Sequence, residues 1–218
     1  MRKYFLIASS SLTVLICLIL IQLSFVGIKT NQFNNLIIEK VKSHNPNLNL
    51  DIKEINIKLK LSEQSIIVKT DEAKISIDDN LLELKEIIAQ LDLVKIFKGE
   101  NSIRNIILET NENPISNITK FVNSYRFSMP RFIIFNQIED GSLKARANIY
   151  FKKDNKDKIL YEINGIVNNA KINFPKPKSI KNINFKFNIK NNKYVFDNTS
   201  FYYDGINFES EKININKV

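Results

Sequence analysis

The chain has 218 residues, a formal net charge of +9 at pH 7, one cysteine and one histidine. This length allows one domain of ordinary size beside a membrane or targeting segment. A single cysteine excludes a disulfide framework. The positive charge is spread along the chain without a basic stripe, which favours solubility and attraction to anionic lipid head groups over nucleic-acid binding.

The first segment, residues 4–28, contains no charged residue and is long enough to cross a bilayer as a helix. Arg2 and Lys3 precede it, whereas only Lys29 follows closely. This asymmetry predicts a cytoplasmic N-terminus and export of the rest of the chain. A cleaved signal peptide is the alternative, but its apolar core normally spans about 7–15 residues and ends at a small-x-small site. The sequence therefore favours an uncleaved transmembrane anchor.

Two domains follow from this topology, an anchor at residues 1–29 and an exported domain at residues 30–218. The exported part has no cysteine, which suits a bacterial periplasm. We therefore expect a single-pass inner-membrane protein of a Gram-negative bacterium, with its C-terminal domain in the periplasm. Cys17 also suggests a lipoprotein, but Ile16 precedes it where a small residue is expected.

An amphipathic helix is predicted over residues 31–44, because apolar residues recur there at helical spacing. It covers a core, closes one end of a sheet or lies on the membrane surface, and the pattern fits all three. From residue 48 the apolar period changes to two, which predicts strands. The alternation slips at residues 53–54 and again at 85–86, and such a slip inside a strand is typical of a β-bulge.

The middle of the chain is less regular. The sequence predicts a helical turn at residues 94–98 closed by Gly99, then a strand at 102–110. A helix is predicted to begin at Asn113–Pro114 and to end near Tyr125, because proline is favourable in the first helical turn. For residues 128–138 a second helix is preferred over a strand.

The C-terminal half has the most regular alternation. A turn is predicted at Asp140–Gly141, and one-sided strands follow. The strands are expected at residues 143–151, 159–167, 183–189, 194–203 and 206–215. Strictly one-sided strands in series are typical of an antiparallel meander with one wet and one apolar face. We expect the last strand to be an open edge.

The apolar face of so many strands needs a partner, and only a few short helices are predicted. A sandwich or closed barrel would normally carry more turn signals than a chain with five glycines and five prolines. The expected fold is therefore mainly β with a few helices. An N-terminal transmembrane helix precedes a curved antiparallel β-sheet, whose apolar groove is partly filled by short plugging helices. A groove of this kind is a binding surface.

The candidate groove residues are the apolar members of the alternating segments. They are Ile55, Ile57, Leu59, Ile75, Ile77, Leu91, Leu93, Ala147, Ile149, Phe151, Ile163, Phe185, Phe187 and Ile189.

The order of these segments resembles the N-terminal part of the AsmA-like family, which includes TamB- and YhdP-type envelope proteins. The stretches that carry the resemblance are FNNLIIEKV at 33–41, LNLDIKEINIKLKL at 48–61, LLELKEIIAQLDLVKIFKGENSIRNIILET at 81–110, DGSLKARANIYF at 140–151, YEINGIVNNAKINF at 161–174 and INFKFNI at 183–189. The resemblance implies an inner-membrane anchor, a periplasmic β-groove for phospholipid acyl chains and a role in lipid movement toward the outer membrane or in envelope assembly. Members of the family are usually several times longer, so the resemblance implies that this chain is a fragment, a short paralogue or the first module of a larger assembly with further β-groove repeats at its C-terminal edge.

Catalysis has little support in the sequence, and we expect no enzyme and no cofactor. His44, the only histidine, lies at a predicted helix end, and no G-x-S-x-G, H-E-x-x-H or P-loop motif occurs. Two functions remain. The first is a groove that binds or conducts phospholipid, and the alternative is a membrane-tethered scaffold that binds envelope proteins, for example through the sheet edge.

Overall fold

Alternating apolar residues rich in isoleucine favour strands over most of the chain. The computed structural model describes residues 2–100, 102–125, 129, 132, 136–151, 159–173, 179–191 and 193–216. Its helices are α1 (Arg2–Phe25), α2 (Asn34–His44), α3 (Leu93–Phe97) and α4 (Ile115–Tyr125). Its strands are β1 (Ile28–Thr30), β2 (Leu48–Asp51), β3 (Ile55–Lys60), β4 (Ser65–Asp71), β5 (Lys74–Ile77), β6 (Asn80–Asp92), β7 (Ile103–Thr110), β8 (Asn113–Pro114), β9 (Ile138–Phe151), β10 (Ile159–Asn173), β11 (Ser179–Lys190), β12 (Lys193–Tyr203) and β13 (Ile206–Asn216). The predicted mainly-β fold with few helices is thus confirmed.

The described strands form one open antiparallel sheet. Their hydrogen-bonded order is β1-β3-β4-β6-β7-β9-β10-β11-β12-β13, with β2 and β5 as a branch on β6 and β8 beside β9. The two end strands, β1 and β13, lie at opposite edges. Within the described residues β13 pairs only with β12, so the predicted open edge at the last strand is confirmed.

Two apolar clusters hold helices against the sheet. The first centres on buried Ile52, Ile55, Ala73 and Leu84, and α2 packs on it through Ile37 and Ile38. The second centres on buried Val167, Ala170 and Ile183, and α4 contributes Ile115 to it. The predicted amphipathic helix at residues 31–44 therefore exists as α2, and it covers a core.

A row of left-handed residues crosses four neighbouring strands. Gly141 in β9 has φ +105°, while Asn169 in β10, Asn182 in β11 and Asn198 in β12 have φ of 51–53°. Asparagine tolerates this conformation better than most residues. The register shifts beside Asn169 and Asn182, as expected for β-bulges, which bend a strand and increase its twist. We call this row the crease.

Asn184 links two of these positions. Its side-chain oxygen accepts from the backbone N–H of Asn169 at 2.8 Å, and its amide donates to the carbonyl of Asn182 at 2.8 Å. The bulge adds one residue to β10 and so changes the direction of the side chains that follow. Val167 and Ala170 are three residues apart, a spacing that places residues of a regular strand on opposite faces, yet both pack in the second cluster. The crease thus keeps apolar residues on one face while it bends the sheet.

Four details of the sequence analysis can be compared with the structure: two change, one is confirmed and one lies largely outside the described residues. The turn predicted at Asp140–Gly141 is wrong, because β9 runs through it with a bulge. The slip at residues 53–54 is a break between β2 and β3, which pair with different strands, and is not a bulge. The slip at 85–86 is confirmed as a register shift between Leu84 and Glu86. The helix predicted at 128–138 lies largely outside the described residues, and Ile138 begins β9.

The part of the chain that the structure describes contains no helix with the length and apolar character needed to cross a membrane. The predicted N-terminal transmembrane helix is therefore unsupported by the structure and stays a prediction. The predicted domain boundary after residue 29 falls within β1, which follows α1 directly.

Gly141→Ala tests the crease. A Cβ at Gly141 would lie 2.6 Å from Ala170 Cα, in addition to the strain of a positive φ, so we expect a loss of about 3 kcal/mol in the free energy of unfolding. Gly99→Ala is the matched control. It also has positive φ (+68°), but its Cβ would meet no atom within 4 Å in the described part of the chain, so only about 1 kcal/mol is expected. Urea unfolding followed by circular dichroism measures both, and equal losses would contradict the close approach.

Candidate functional site

One face of the sheet is apolar from the first strand to the last. Residues directly opposite each other in an antiparallel pair share a face, so the register identifies this face without ambiguity. Ile28 stands opposite Ile57, and Ile57 stands opposite Val68. At the far edge Ile189 faces Tyr194, and Tyr194 faces Ile215. We call this the apolar face.

The middle and one end of the apolar face belong to neither cluster. We call this part the open strip, and its members are half-buried apolar side chains of β3, β4, β6, β7 and β9 to β12. They are Leu59, Ile66, Ala89, Leu91, Ile103, Ile106, Ala147, Ile149, Tyr161, Ile163, Ile189, Tyr194 and Phe196. α2 and α4 each contribute to a cluster, and neither cluster includes these residues.

The structure divides the predicted groove residues among several environments. Those in the open strip are Leu59, Leu91, Ala147, Ile149, Ile163 and Ile189. Those packed in the two covered clusters are Ile55, Ile57, Ile75, Phe185 and Phe187. Ile77 is only 1% exposed, and Phe151 lies near the end of the face at 38% exposure. Leu93 begins α3 and is not a strand residue, which corrects its predicted place in the alternation.

An aromatic group separates the open strip from the second cluster. The ring of Phe187 covers Gly165, where a Cβ would overlap with the ring. Phe185 contacts both Phe187, with ring centroids 6.1 Å apart, and Phe196, with centroids 5.5 Å apart in an edge-to-face arrangement. Glycine at position 165 thus leaves room for the ring of Phe187 over β10.

The opposite face, called the polar face below, carries a network of ion pairs among a few isoleucines such as Ile88 and Ile107. The side chain of Glu109, 10% exposed, accepts from Lys85 Nζ and from Arg146 Nη1, each at 2.7 Å. Arg146 also reaches Glu86 at 3.3 Å, and Glu86 pairs with Lys69 at 3.1 Å. This network joins β4, β6, β7 and β9. An open depression of about 550 Å³ borders it, and two cations of its lining, Lys144 and Arg146, are engaged by Glu109.

The polar network sets the ionisation of Glu109. The hydrogen bond from Lys85 holds the pKa of this carboxyl below its ordinary value, and Arg146 lowers the pKa further against the effect of burial. The carboxylate is therefore charged at neutral pH and links β7 to β6 and β9. The charged groups of this face thus find partners within the sheet.

Glu109→Gln tests the network. The folded pKa of Glu109 is depressed, so its contribution to stability is present above the unfolded pKa of about 4.3 and is lost as pH falls through the folded pKa. We expect Glu109→Gln to lower the free energy of unfolding by about 1 kcal/mol at pH 7, a small effect because both cations are half exposed. In acid the same substitution should lower it little. Glu139→Gln, which breaks an exposed pair with Lys171, is the control with little effect at either pH. Urea unfolding at the two pH values measures the difference, and an equal loss at both would refute the assignment.

The sequence did not reveal which face of the N-terminal half is apolar. The register shows that three further residues lie on the apolar face. Ile66 stands opposite Leu59, Ala89 stands opposite Val68, and Ile106 stands opposite Ala89. Alternation finds such residues on each strand, but only the pairing of the strands shows that they share one face.

No cluster of His, Cys, Asp or Glu side chains suited to a metal ion occurs among the described residues. No family model, no curated protein and no solved structure matches this chain. The resemblance to the AsmA-like family therefore stays a prediction.

Proposed function

We propose that the protein binds phospholipid acyl chains on its apolar face while α1 attaches it to a membrane. The observation that carries this proposal is the continuity of the apolar face across the ten strands of the sheet path, with helices at its two clusters and an open strip between and beyond them. An apolar surface of this length that neither α2 nor α4 covers is costly in water, and acyl chains match its width and chemistry.

Attachment through α1 is supported by its side chains. Among the described side chains of α1 most of the large apolar ones are exposed, with Leu12, Leu18 and Phe25 at 58%, 59% and 77% exposure. A helix that is apolar on every side belongs in an apolar environment. The charge asymmetry of the N-terminus favours export of the sheet, so we place the protein at the bacterial inner membrane with the sheet in the periplasm.

The length of the sheet limits what it does alone. Ten strands at about 4.8 Å spacing give an apolar face of roughly 45 Å. A face of this length accepts acyl chains at the inner membrane, and transfer toward the outer membrane requires further strands beyond β13. This is the role that the family resemblance implies, and it needs no catalytic group or cofactor.

Ile163→Asp tests lipid binding. Ile163 lies in the open strip opposite Ala147 and Ile189, so a carboxylate there repels acyl chains without entering a sealed cluster. We expect the purified full-length protein to carry phospholipid, and the variant to carry roughly tenfold less, equivalent to about 1.4 kcal/mol. Native mass spectrometry measures the bound lipid.

The matched control is Asn164→Asp, which adds the same charge one residue away on the polar face, opposite Arg146. It should keep its lipid. Circular dichroism checks that both variants keep their strands. Equal lipid content in the two variants, or none in the unchanged protein, would refute lipid binding on this face.

A second function is a membrane-tethered scaffold for envelope proteins, and the exposed edge favours it. Ile206, Phe208, Ile213 and Ile215 of β13 are 38–58% exposed, and the outer edge of this strand pairs with no described strand. An added strand from a partner would cover this edge. Lipid bound to the purified protein supports the first function, and its absence together with a retained partner supports the second.

A topology experiment tests the export. A reporter enzyme that is active only in the periplasm, fused after Val218, is expected to be active, because positive residues precede the apolar segment. Replacing Arg2 and Lys3 with glutamate should lower that activity. An inactive fusion, or processing of the chain to a shorter soluble form, would contradict the proposed anchor.

A further inference from the structure

An exposed apolar patch lies at one end of the sheet. It consists of Leu61 after β3 and of Val94, Ile96 and Phe97 in α3, with exposures of 55%, 44%, 39% and 83%. Single exposed apolar residues are ordinary, but four on two adjacent segments form a patch that marks an interaction surface. We call it the end patch.

The end patch is held rigidly. Asp92 caps α3 by accepting from the backbone N–H of Lys95 at 3.1 Å. Arg104 donates to Asp92 Oδ2 at 2.9 Å and to the carbonyl of Glu63 at 2.7 Å, so it joins the two segments. Leu93 N–H donates to Gln64 O at 3.0 Å. These bonds fix the backbone on which the apolar side chains point outward.

The C-terminal end of α1 lies at this same end of the sheet. Lys58 Nζ donates to the carbonyl of Phe25 at 3.3 Å. Lys58 lies two residues before Lys60, which ends β3, and Leu61 of the end patch follows Lys60. Phe25 and Val26 are themselves 77% and 66% exposed. Three exposed apolar segments, from α1, the turn after β3 and α3, therefore share one end of the molecule.

Lysines surround the end patch. Lys60, Lys95 and Lys98 lie within or beside its two segments, and Lys58 is near. Among the described carboxylates nearby, Glu63 is paired with Lys60 and Asp92 with Arg104, which leaves Glu100. The surplus of positive charge complements anionic lipid head groups, and apolar side chains beside lysines are typical of an interfacial membrane contact.

We propose that the end patch is a second membrane contact, in which α3 and Leu61 insert into the head-group region of an anionic bilayer. The proposal rests on the proposed function, because α1 brings this end to the membrane. Its consequence is a path for lipid. The last row of the open strip before the end patch consists of residues that pair across neighbouring strands, Leu59, Ile66, Leu91 and Ile103. Docking places this row against the bilayer, so an acyl chain reaches the strip without crossing water.

Fluorophore labelling of the full chain in vesicles tests this contact. The native Cys17, which is exposed, carries the label that reports α1. In a Cys17→Ser background, Ile96→Cys reports the end patch and keeps Phe97 in place. Leu81→Cys is the matched control. It is 41% exposed and lies at the other end of β6, roughly 35 Å from α3 at 3.3 Å per residue.

The vesicles contain phosphatidylcholine with added phosphatidylglycerol and a lipid with a nitroxide quencher on its acyl chain. We expect quenching at positions 17 and 96 but not at position 81. Quenching at 17 alone would overturn the end-patch contact and leave the membrane attachment standing. Quenching at none of the three would overturn both, and equal quenching at 96 and 81 would overturn an end-specific contact.

Charge variants test the anionic lipid. Lys95→Gln and Lys98→Gln should each raise the phosphatidylglycerol content needed for half-maximal quenching at position 96, and weaken the contact by roughly fivefold per lysine. Lys193→Gln, an exposed lysine on β12, is the control. Quenching at position 96 that is the same in phosphatidylcholine alone would contradict recognition of anionic head groups.

Discussion

The structure depends on a register that keeps apolar residues on one face through ten strands. A shift of one residue anywhere would move the remaining isoleucines of that strand to the polar face. The bulges therefore matter more than their size suggests. In β6, Leu84 and Ile87 are three residues apart and pack in the same cluster, because the shift at Lys85–Glu86 absorbs the extra residue. The crease does the same for Val167 and Ala170 in β10.

The two faces meet different demands. On the polar face, carboxylates such as Glu109 and Glu86 bind cations from neighbouring strands, so the pairing is reinforced where water competes for the backbone. On the apolar face, α2 and α4 cover parts of the sheet and leave the open strip. A sheet built this way has its apolar core in the two covered clusters, and half-buried apolar side chains continue between and beyond them.

Much of this architecture follows from the sequence, since strict alternation in Leu143–Phe151 and Ile183–Ile189 predicts one-sided strands, and these strands form. The break at Lys53–Glu54 looked like a bulge because the sequence does not show that β2 pairs with β5 and β3 with β4. Asp140–Gly141 has turn chemistry, yet the same left-handed preference serves a bulge inside a strand. Which residues share the apolar face depends on long-range pairing, which local patterns do not contain.

Gly27 joins the helix to the sheet without a linker. It is buried with φ +82°, and a Cβ there would lie 2.6 Å from Lys58 Cγ and 2.8 Å from the carbonyl oxygen of Ile57. β1 begins at the next residue, so α1 passes straight into the first hydrogen-bonded pair of the sheet. The backbone at residue 27 therefore lies against β3 with no room for a side chain. Glycine at this one position sets how closely the end of α1 approaches the first strand pair, and any larger residue would have to push the helix and the sheet apart.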